Sequence, residues 1–315
     1  MKSILTALAV ATTVAVTSFT ADAATVKVTK FHQSYPYSGK ATVEYTVGGT
    51  LPANAVAEIT LNTDNASVTF TQKNIVTGAN TFTIDFASSF GGALLLTNAS
   101  FVVTIEPGGV QLWENGPYWA ECNVGASKPE EYGYYFWWGD TVGYTNTGSG
   151  WISVKDGTSI MFTNSGTASS TFGKDNSALQ SAGYIDATGN LVAAHDAATA
   201  HLCSPWRMPT GVEIDALTNN CTATWITTNG MSGCLVTGKG DYANRSIFLP
   251  AAGSGSGSRL DDPGSRGYYW SSTPDSGNSG SAWCLYFNLN LGNFDQYYGW
   301  RNNGRSVRPV RGSAQ

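Results

Sequence analysis

Short runs that alternate between apolar and polar residues fill the chain from residue 24 to about residue 107. The six clearest runs are rich in β-branched residues and occupy residues 25–28, 41–47, 57–61, 67–70, 81–85 and 101–105. Because successive side chains of a strand point to opposite faces, this period of two predicts half-buried antiparallel strands. Roughly seven strands in about 85 residues are typical of an immunoglobulin-like sandwich. We therefore predict an all-β immunoglobulin-like sandwich for residues 24–107.

The alternation stops at the sequence Glu-Pro-Gly-Gly, residues 106–109, which predicts the domain boundary. Beyond it, aromatic residues, Gly and Ser predominate, and two helices are predicted. Residues 191–200 are rich in Ala, which favours a helix, and Thr210 with Glu213 forms the capping box of a second helix. Short strands are predicted at residues 246–249, 267–270, 282–287 and 307–310. Two short helices and an irregular β half predict an α+β domain over residues 108–312.

The N-terminal residues predict export. A basic residue, an apolar run over residues 4–16 and a closing Ala-Asp-Ala make up residues 1–23, the arrangement of a cleaved signal peptide. A membrane anchor needs about 20 apolar residues, whereas Thr17 and Ser18 interrupt this run. No later stretch is apolar over such a length, so no membrane-spanning segment is expected after cleavage. We expect a protein that is secreted or held at the cell surface.

Composition and charge restrict the fold and the partners. Charged residues make up only 12% of the chain, which contains 36 Gly, 15 Tyr and 10 Trp residues. This composition is typical of a turn-rich β or loop-dominated fold, so long helices are not expected. The formal net charge is −5 and no Lys or Arg cluster is present. Because nucleic acids are bound by dense positive patches, no nucleic-acid partner is expected.

Five cysteines and one glycine-rich run are the candidates for metal and phosphate sites. Up to two disulfides and one thiol are compatible with five cysteines, and their pairing stays open. No two of them have the C-x-x-C spacing of a zinc or redox site, so no metal is predicted. The run at residues 253–258 lacks the Lys of a phosphate-binding loop and predicts a mobile surface loop. The five cysteines are Cys122, Cys203, Cys221, Cys234 and Cys284.

The residue types used in hydrolytic catalysis are not spaced for it. The chain has three histidines, His32, His195 and His201. The last two are six residues apart, whereas a shared helix face needs a spacing of about three or four. The carboxylate pairs at residues 130–131 and 261–262 are adjacent in loops, so they do not face each other across a substrate bond. We predict no catalytic residue and no cofactor, and therefore a protein that is not an enzyme.

Six motifs in the second domain resemble a known family. They are WAxCNVGA (residues 119–126), EYGxYFxWG (131–139), WRMPT (206–210), LPAAG (249–253), YWSS (269–272) and GxSVRPV (304–310). In this order they resemble the Fibrobacter succinogenes major paralogous domain, over about residues 109–311. The resemblance implies a C-type lectin-like fold, related to formylglycine-generating enzymes and to variable proteins of diversity-generating retroelements. Trp270, Arg207 and Arg308 belong to these motifs, and we predict structural roles for them, each arginine satisfying buried carbonyls or a carboxylate.

In those variable proteins, a final strand-and-loop segment before a Ser-Val-Arg-Pro-Val-like motif displays the ligand-binding residues. The segment that corresponds here is residues 283–303. The Glu-Pro-Asn, Gln-Pro-Asp and Trp-Asn-Asp triplets of calcium-dependent sugar sites are absent from the sequence, so calcium is not predicted. Nothing in the sequence marks any two of the five cysteines as the active pair that formylglycine-generating enzymes use.

Residues 288–303, which we call the tail, have the composition of a binding surface. Tyr and Trp provide wide contact with few rotatable bonds, and Asn provides both donors and acceptors. We predict contact with an unknown protein or glycan ligand through Asn288, Asn290, Asn293, Asp295, Tyr297, Tyr298, Trp300, Asn302 and Asn303. Three alternatives remain open: a tail that only packs on its neighbours, a structural cell-surface or matrix component, and an enzyme of the formylglycine-generating type.

Overall fold

The protein is mostly β, with few helices and many small antiparallel sheets. The chain divides into two compact units between Gly108 and Gly109, within the segment predicted as the domain boundary. The predicted signal peptide, Cys203 and Asn290 lie outside the described residues. The computed structural model describes residues 24–33, 39–49, 51, 55–63, 67–85, 99–106, 108–202, 204–289 and 291–312.

The first unit contains two three-stranded antiparallel sheets among its described residues. The strands are β1 (Thr25–Gln33), β2 (Lys40–Gly48), β3 (Val56–Asn62), β4 (Ser67–Gln72), β5 (Gly78–Asp85) and β6 (Ser100–Glu106). One sheet has the order β1-β2-β5 and the other the order β4-β3-β6. Each of the six alternating runs lies within one of these strands, so all six strand predictions are confirmed.

The alternation works as the period of two requires. In β2 and β3, every second side chain is buried, and the buried side chains of both sheets form one hydrophobic cluster. Tyr45 is buried in this cluster, and its hydroxyl donates to Gln72 Oε1 at 2.7 Å. Burial raises the pKa of Tyr45 to about 12. A buried polar group needs such a partner, because leaving it unpaired costs about 1–3 kcal/mol.

The second unit has fourteen strands and four short helices among its described residues. The strands are β7 (Val110–Gln111), β8 (Tyr118–Trp119), β9 (Tyr144–Asn146), β10 (Trp151–Ser153), β11 (Ser159–Ile160), β12 (Cys221–Thr228), β13 (Met231–Gly238), β14 (Ser246–Pro250), β15 (Ser254–Ser256), β16 (Arg259–Asp261), β17 (Arg266–Pro274), β18 (Ser281–Asn288), β19 (Asn293–Trp300) and β20 (Val310–Arg311). The helices are α1 (Ala168–Thr171), α2 (Asn176–Ser181), α3 (Ala197–Leu202) and α4 (Gly211–Asn220). The sheets have the orders β20-β8-β7, β11-β10-β9, β12-β13-β14, β15-β16 and β17-β18-β19.

Helix α4 begins at the predicted capping box. Thr210 Oγ1 accepts the amide of Glu213 at 3.2 Å, and Glu213 Oε2 accepts the amide of Thr210 at 2.8 Å. These reciprocal bonds satisfy two of the amides that a helix N-terminus leaves without partners. With ten residues, α4 is the longest helix in the described part of the chain. None of the described helices has both the length and the apolar character needed to cross a membrane.

The helix predicted over residues 191–200 is wrong in its bounds. Leu191 forms a bridge with Ile185, a single 3₁₀ turn follows, and α3 begins only after Asp196. Asp196 is extended, and its buried carboxylate accepts the amides of Thr199 at 2.9 Å and Met208 at 2.8 Å. A carboxylate that caps a helix fixes the helix start at the following residue. This contact with a distant segment overrides the helix propensity of the alanines.

Two further predictions are corrected. Residues 253–258 are not a surface loop, because β15 and β16 form a hairpin there in which Ser254 and Gly255 are buried. A Cβ on Gly255 would lie 2.5 Å from the ring of Phe162, so the glycine permits close packing. The strand predicted at residues 307–310 is regular only from Val310, in β20. By contrast, the strands predicted at residues 246–249, 267–270 and 282–287 are confirmed as parts of β14, β17 and β18.

Candidate ligand-binding surface

The segment after the tail is anchored by Arg308, which is fully buried. Its Nε donates to Asn123 Oδ1 at 2.8 Å, and its other nitrogens donate to the carbonyls of Ala120, Glu121 and Phe248 at 2.7 to 3.0 Å. Burial lowers the pKa of this guanidinium. The predicted structural role of Arg308 is confirmed, since its donors satisfy three backbone carbonyls and one amide oxygen.

Arg207 has a different partner. Its two terminal nitrogens donate to both carboxylate oxygens of Glu213, at 2.7 and 2.6 Å. Such a bidentate pair is the geometry that the planar guanidinium favours. The Glu213 carboxylate, which belongs to the capping box of α4, is therefore also bound by Arg207. The predicted carboxylate partner of Arg207 is confirmed.

The tail is built on the sheet β17-β18-β19. β18 and β19 pair over eight residues without a register shift, from Ser281 with Trp300 to Asn288 with Asn293. On one face, Phe294 joins the core cluster, 6.5 Å from the ring of Phe287. On the same face, the Gln296 side-chain amide donates to the carbonyl of Gly211 at the start of α4. These contacts hold β19 as a regular strand rather than a loop.

The opposite face of this sheet carries a row of tyrosines. Tyr268 in β17 and Tyr286 in β18 are directly paired, with ring centroids 5.0 Å apart. Tyr297 in β19 continues the row, 5.5 Å from Tyr286. Asp295 is the direct partner of Tyr286 in the register. Aromatic neighbours across strands stabilise a sheet by about 0.2–1 kcal/mol for each pair, so the row is held by its own packing.

Three aromatic side chains of β19 are about half exposed: Tyr297 at 46%, Tyr298 at 45% and Trp300 at 48%. The rings of Tyr297 and Tyr298 stack with centroids 4.7 Å apart and an interplanar angle of 14°. Trp300 lies 5.9 Å from Phe172. The interaction with Tyr298 raises the pKa of Tyr297. Neighbouring rings therefore restrain all three exposed side chains.

Arg305 lies beneath this surface and is 4% exposed. Its guanidinium stacks 4.7 Å from the ring of Tyr268 and 4.4 Å from that of Trp270, and one nitrogen donates to Cys284 Sγ at 2.7 Å. A Cβ on Gly299 would come within 2.1 Å of this guanidinium. Gly299 thus leaves the space in which Arg305 supports the tyrosine row.

Arg301 is a second anchor, at the end of β19, and is fully buried. Its nitrogens donate to the carbonyls of Ser281, Thr171 and Lys174 at 2.7 to 2.9 Å. Burial lowers its pKa to about 10. Sequence reasoning missed Arg301 and Arg305. The available signal was the density of arginines between residues 301 and 308 in a chain with only 12% charged residues.

The predicted contact residues do not all reach the surface. Asn293, Asp295, Tyr297, Tyr298 and Trp300 are exposed along β19, and Asn302 and Asn303 are half-buried in the turn that follows. The predicted contact role of Asn288 is corrected, because this residue is 2% exposed and its side-chain amide donates to the hydroxyl of Tyr286 at 3.0 Å. Its place at the end of β18 turns it inward, to orient Tyr286. Asn290 lies outside the described residues.

Two exposed residues in the turn between β18 and β19 were not predicted. Leu289 is 46% exposed and Leu291 is 68% exposed. They add apolar area to one end of the exposed strand. We define the β19 surface as Asn293, Asp295, Tyr297, Tyr298 and Trp300.

Metal binding has no candidate in the parts of the chain that the structure describes. Within them, no group of three or more His, Cys, Asp or Glu side chains converges on one point. Cys284, the cysteine nearest the tail, is fully buried, and burial raises its pKa although Arg305 opposes the shift. No family model, curated protein or solved structure matches this chain.

Proposed function

We propose that the chain is an exported, non-enzymatic recognition protein that binds a protein or glycan ligand through the β19 surface. In this proposal the second unit is a C-type lectin-like domain of the major paralogous family, and the first unit is an immunoglobulin-like sandwich that presents it. The framework roles of Arg308 and Arg207 support the family assignment, because both arginines belong to the motifs that carry the resemblance.

The observation that carries the proposal is the exposure of Tyr297, Tyr298 and Trp300 on one regular strand. Burying apolar surface contributes about 25 cal/mol per Å². A ligand that covers the exposed half of these aromatic side chains therefore gains favourable free energy of binding. Binding surfaces favour such side chains because few rotatable bonds are frozen on contact. The polar neighbours Asn293 and Asp295 supply the donors and acceptors that orient a ligand.

The enzymatic alternative requires an accessible thiol. The Cys284 side chain is fully buried and its sulfur already accepts a hydrogen bond from Arg305. Its pKa is raised, which lowers the fraction of reactive thiolate at neutral pH. These facts favour recognition over catalysis of the formylglycine-generating type.

The test is a triple variant, Tyr297→Ala with Tyr298→Ala and Trp300→Ala, compared with the wild type on glycan and protein arrays. Met161→Ala is the matched control, since Met161 is 58% exposed and lies outside the tail. We expect at least a tenfold loss of binding in the triple variant and none in the control. A ligand that binds the triple variant as tightly as the wild type contradicts the proposal. Arrays without any ligand favour the structural cell-surface or matrix component.

A further inference from the structure

The direction of the backbone groups in β19 follows from one hydrogen bond. The amide of Arg301 donates to the carbonyl of Gly280 at 2.9 Å, one step beyond the pair Ser281 and Trp300. Hydrogen-bonded and non-hydrogen-bonded pairs alternate in an antiparallel ladder. Odd-numbered residues of β19 therefore direct their N–H and C=O groups toward β18, and even-numbered residues direct theirs away. The carbonyl of Trp300 agrees, because it accepts the amide of Asn303 at 3.0 Å, outside the ladder.

The outward groups belong to Phe294, Gln296 and Tyr298. β19 is an edge strand, and in the described parts of the chain no backbone group pairs with these three residues on their outer side. Successive outward residues along a strand are about 6.8 Å apart. The edge thus presents three evenly spaced pairs of one donor and one acceptor.

The other edge of the same sheet is closed. The carbonyl of Arg266 accepts the amide of Gly253 at 2.8 Å, and the amides of Trp270 and Ser272 donate to Ser306 and Pro209 at 3.1 and 2.8 Å. The fold therefore satisfies the outward groups of β17 with its own backbone. Only at β19 do the described segments leave a long edge of this sheet open.

The open edge carries little of the usual protection against pairing. Edge strands are normally blunted by charged side chains, above all Lys, by Pro, by a bulge or by being very short. β19 is eight residues long, contains neither Lys nor Pro, and pairs with β18 without a bulge. Asp295 is its one charged residue, and no cation among the described residues lies within salt-bridge distance of it.

We propose that the ligand of the β19 surface is an extended peptide segment of a partner protein, which adds to β19 as a fourth strand and carries a Lys or Arg that faces Asp295. This rests on the proposed function and specifies its ligand. Main-chain hydrogen bonds supply affinity in strand addition, and side chains on alternate positions supply specificity. Here the two sets of contacts are Tyr297 with Asp295 on one face, and Tyr298 with Trp300 on the other.

Two other occupants fit these contacts less well. A second copy of the chain brings another β19, whose one charge is also negative, so it offers Asp295 no cation. A glycan stacks on open aromatic faces, whereas Tyr297 and Tyr298 stack on each other, so that one face of each ring is already covered. Both remain outcomes that the experiment distinguishes.

The experiment selects a phage-displayed library of random linear dodecapeptides on the full protein, and then measures binding to two variants at one position. Gln296→Pro and Gln296→Ala both remove the side-chain bond to Gly211, but only Gln296→Pro also removes an outward N–H. The ratio of their affinities therefore reports the backbone bond. We expect selected peptides to bind Gln296→Pro at least tenfold more weakly than Gln296→Ala. We also expect Asp295→Asn to weaken peptides that carry Lys or Arg.

A second measurement is independent of whether Gln296→Pro folds, which near-ultraviolet circular dichroism reports. Selected peptides are synthesised with N-methyl groups on every second residue, in either phase. Strand addition uses one edge of the peptide, so one phase abolishes binding to the wild type and the other retains it. Equal loss in both phases overturns the proposal.

The remaining outcomes also decide. No enrichment over selection on an unrelated protein, or equal binding by Gln296→Pro and Gln296→Ala, overturns strand addition. Dimers of the wild type that Gln296→Pro dissociates identify a second copy as the occupant and overturn it as well. If ligand binding requires Tyr297 and Trp300 but not the backbone N–H of Gln296, strand addition is overturned while the proposed function stands.

Discussion

Arg308 Nε donates to Asn123 Oδ1 at 2.8 Å, joining the last motif of the second unit to its first motif. Asn123 in turn donates to the carbonyl of Tyr132 at 2.9 Å, so the same contact reaches the aromatic run that follows. Both side chains are buried. A single polar network therefore links the first part of this unit to its last part. The tail lies between β18 and Arg308, which anchors this network.

The first prediction concerns this network. Arg308→Met removes the guanidinium that donates to four acceptors, and three of these hydrogen bonds are buried. We expect a loss of about 3–5 kcal/mol in the free energy of unfolding, the range for buried polar groups that lose a charged partner. Urea unfolding followed by tryptophan fluorescence measures it. All ten tryptophans lie after Gly109, so this signal reports the second unit alone.

Arg308→Lys retains the charge with fewer donors. We expect its free energy of unfolding to lie between those of the wild type and of Arg308→Met. Arg259→Met is the surface control, because the Arg259 side chain is 76% exposed and its pair with Asp261 spans 3.4 Å. That control is expected to change stability by less than about 0.5 kcal/mol. An Arg308→Met protein within about 1 kcal/mol of the wild type contradicts the anchoring role.

Local patterns predicted the strands well because burial and alternation are properties of neighbouring residues. The runs in β2 and β3 needed no knowledge of distant segments, and the capping box from Thr210 to Glu213 spans four residues. Asp196 is the opposite case. Its second oxygen accepts from Met208, twelve residues away, and the sequence near residue 196 does not reveal that contact.

The composition of the tail predicted a binding surface, but it did not predict which of its side chains are exposed. Its aromatic and Asn content indicated a surface, whereas the burial of Asn288 depends on the hydroxyl of Tyr286. Arg301 and Arg305 were missed for a similar reason. Each is buried by residues far away in the sequence, such as Thr171 and Tyr268, so only the folded arrangement identifies them as supports of the β19 surface.

The second prediction uses the buried carboxylate of Asp196. Burial raises its pKa above the ordinary value, although amide donation from Thr199 and Met208 opposes the shift. The folded state then binds the proton more tightly than the unfolded state. Between the unfolded pKa, about 3.9, and the raised folded pKa, stability therefore falls as pH rises. The contribution of Asp196 is most favourable below this window.

Asp196→Asn removes the titrating group and with it this pH dependence. We expect the stability of the wild type minus that of Asp196→Asn to be larger at about pH 3.5 than at about pH 7. Urea unfolding at both pH values measures the difference, and subtracting the variant cancels the titration of the other carboxylates. A difference that is larger at neutral pH contradicts the direction of the shift.

The third prediction separates recognition from thiol catalysis. Cys221, Cys234 and Cys284 are free thiols that are at most 4% exposed. Burial raises the pKa of Cys221 and of Cys234 to about 12, and raises that of Cys284 against the effect of Arg305. Since the thiolate is the form that reacts, alkylation by iodoacetamide at about pH 8 is expected to be at least about a hundredfold slower than for free cysteine.

Peptide mapping by mass spectrometry measures each cysteine separately. In guanidinium chloride, all three thiols are expected to react at the rate of free cysteine, which provides the control for reagent and detection. If Cys284 alone reacts rapidly in the folded protein, it has the access and the thiolate character that an enzyme of the formylglycine-generating type needs. If all three are protected, none of them has the access or the thiolate character of a catalytic nucleophile, which favours recognition through the β19 surface.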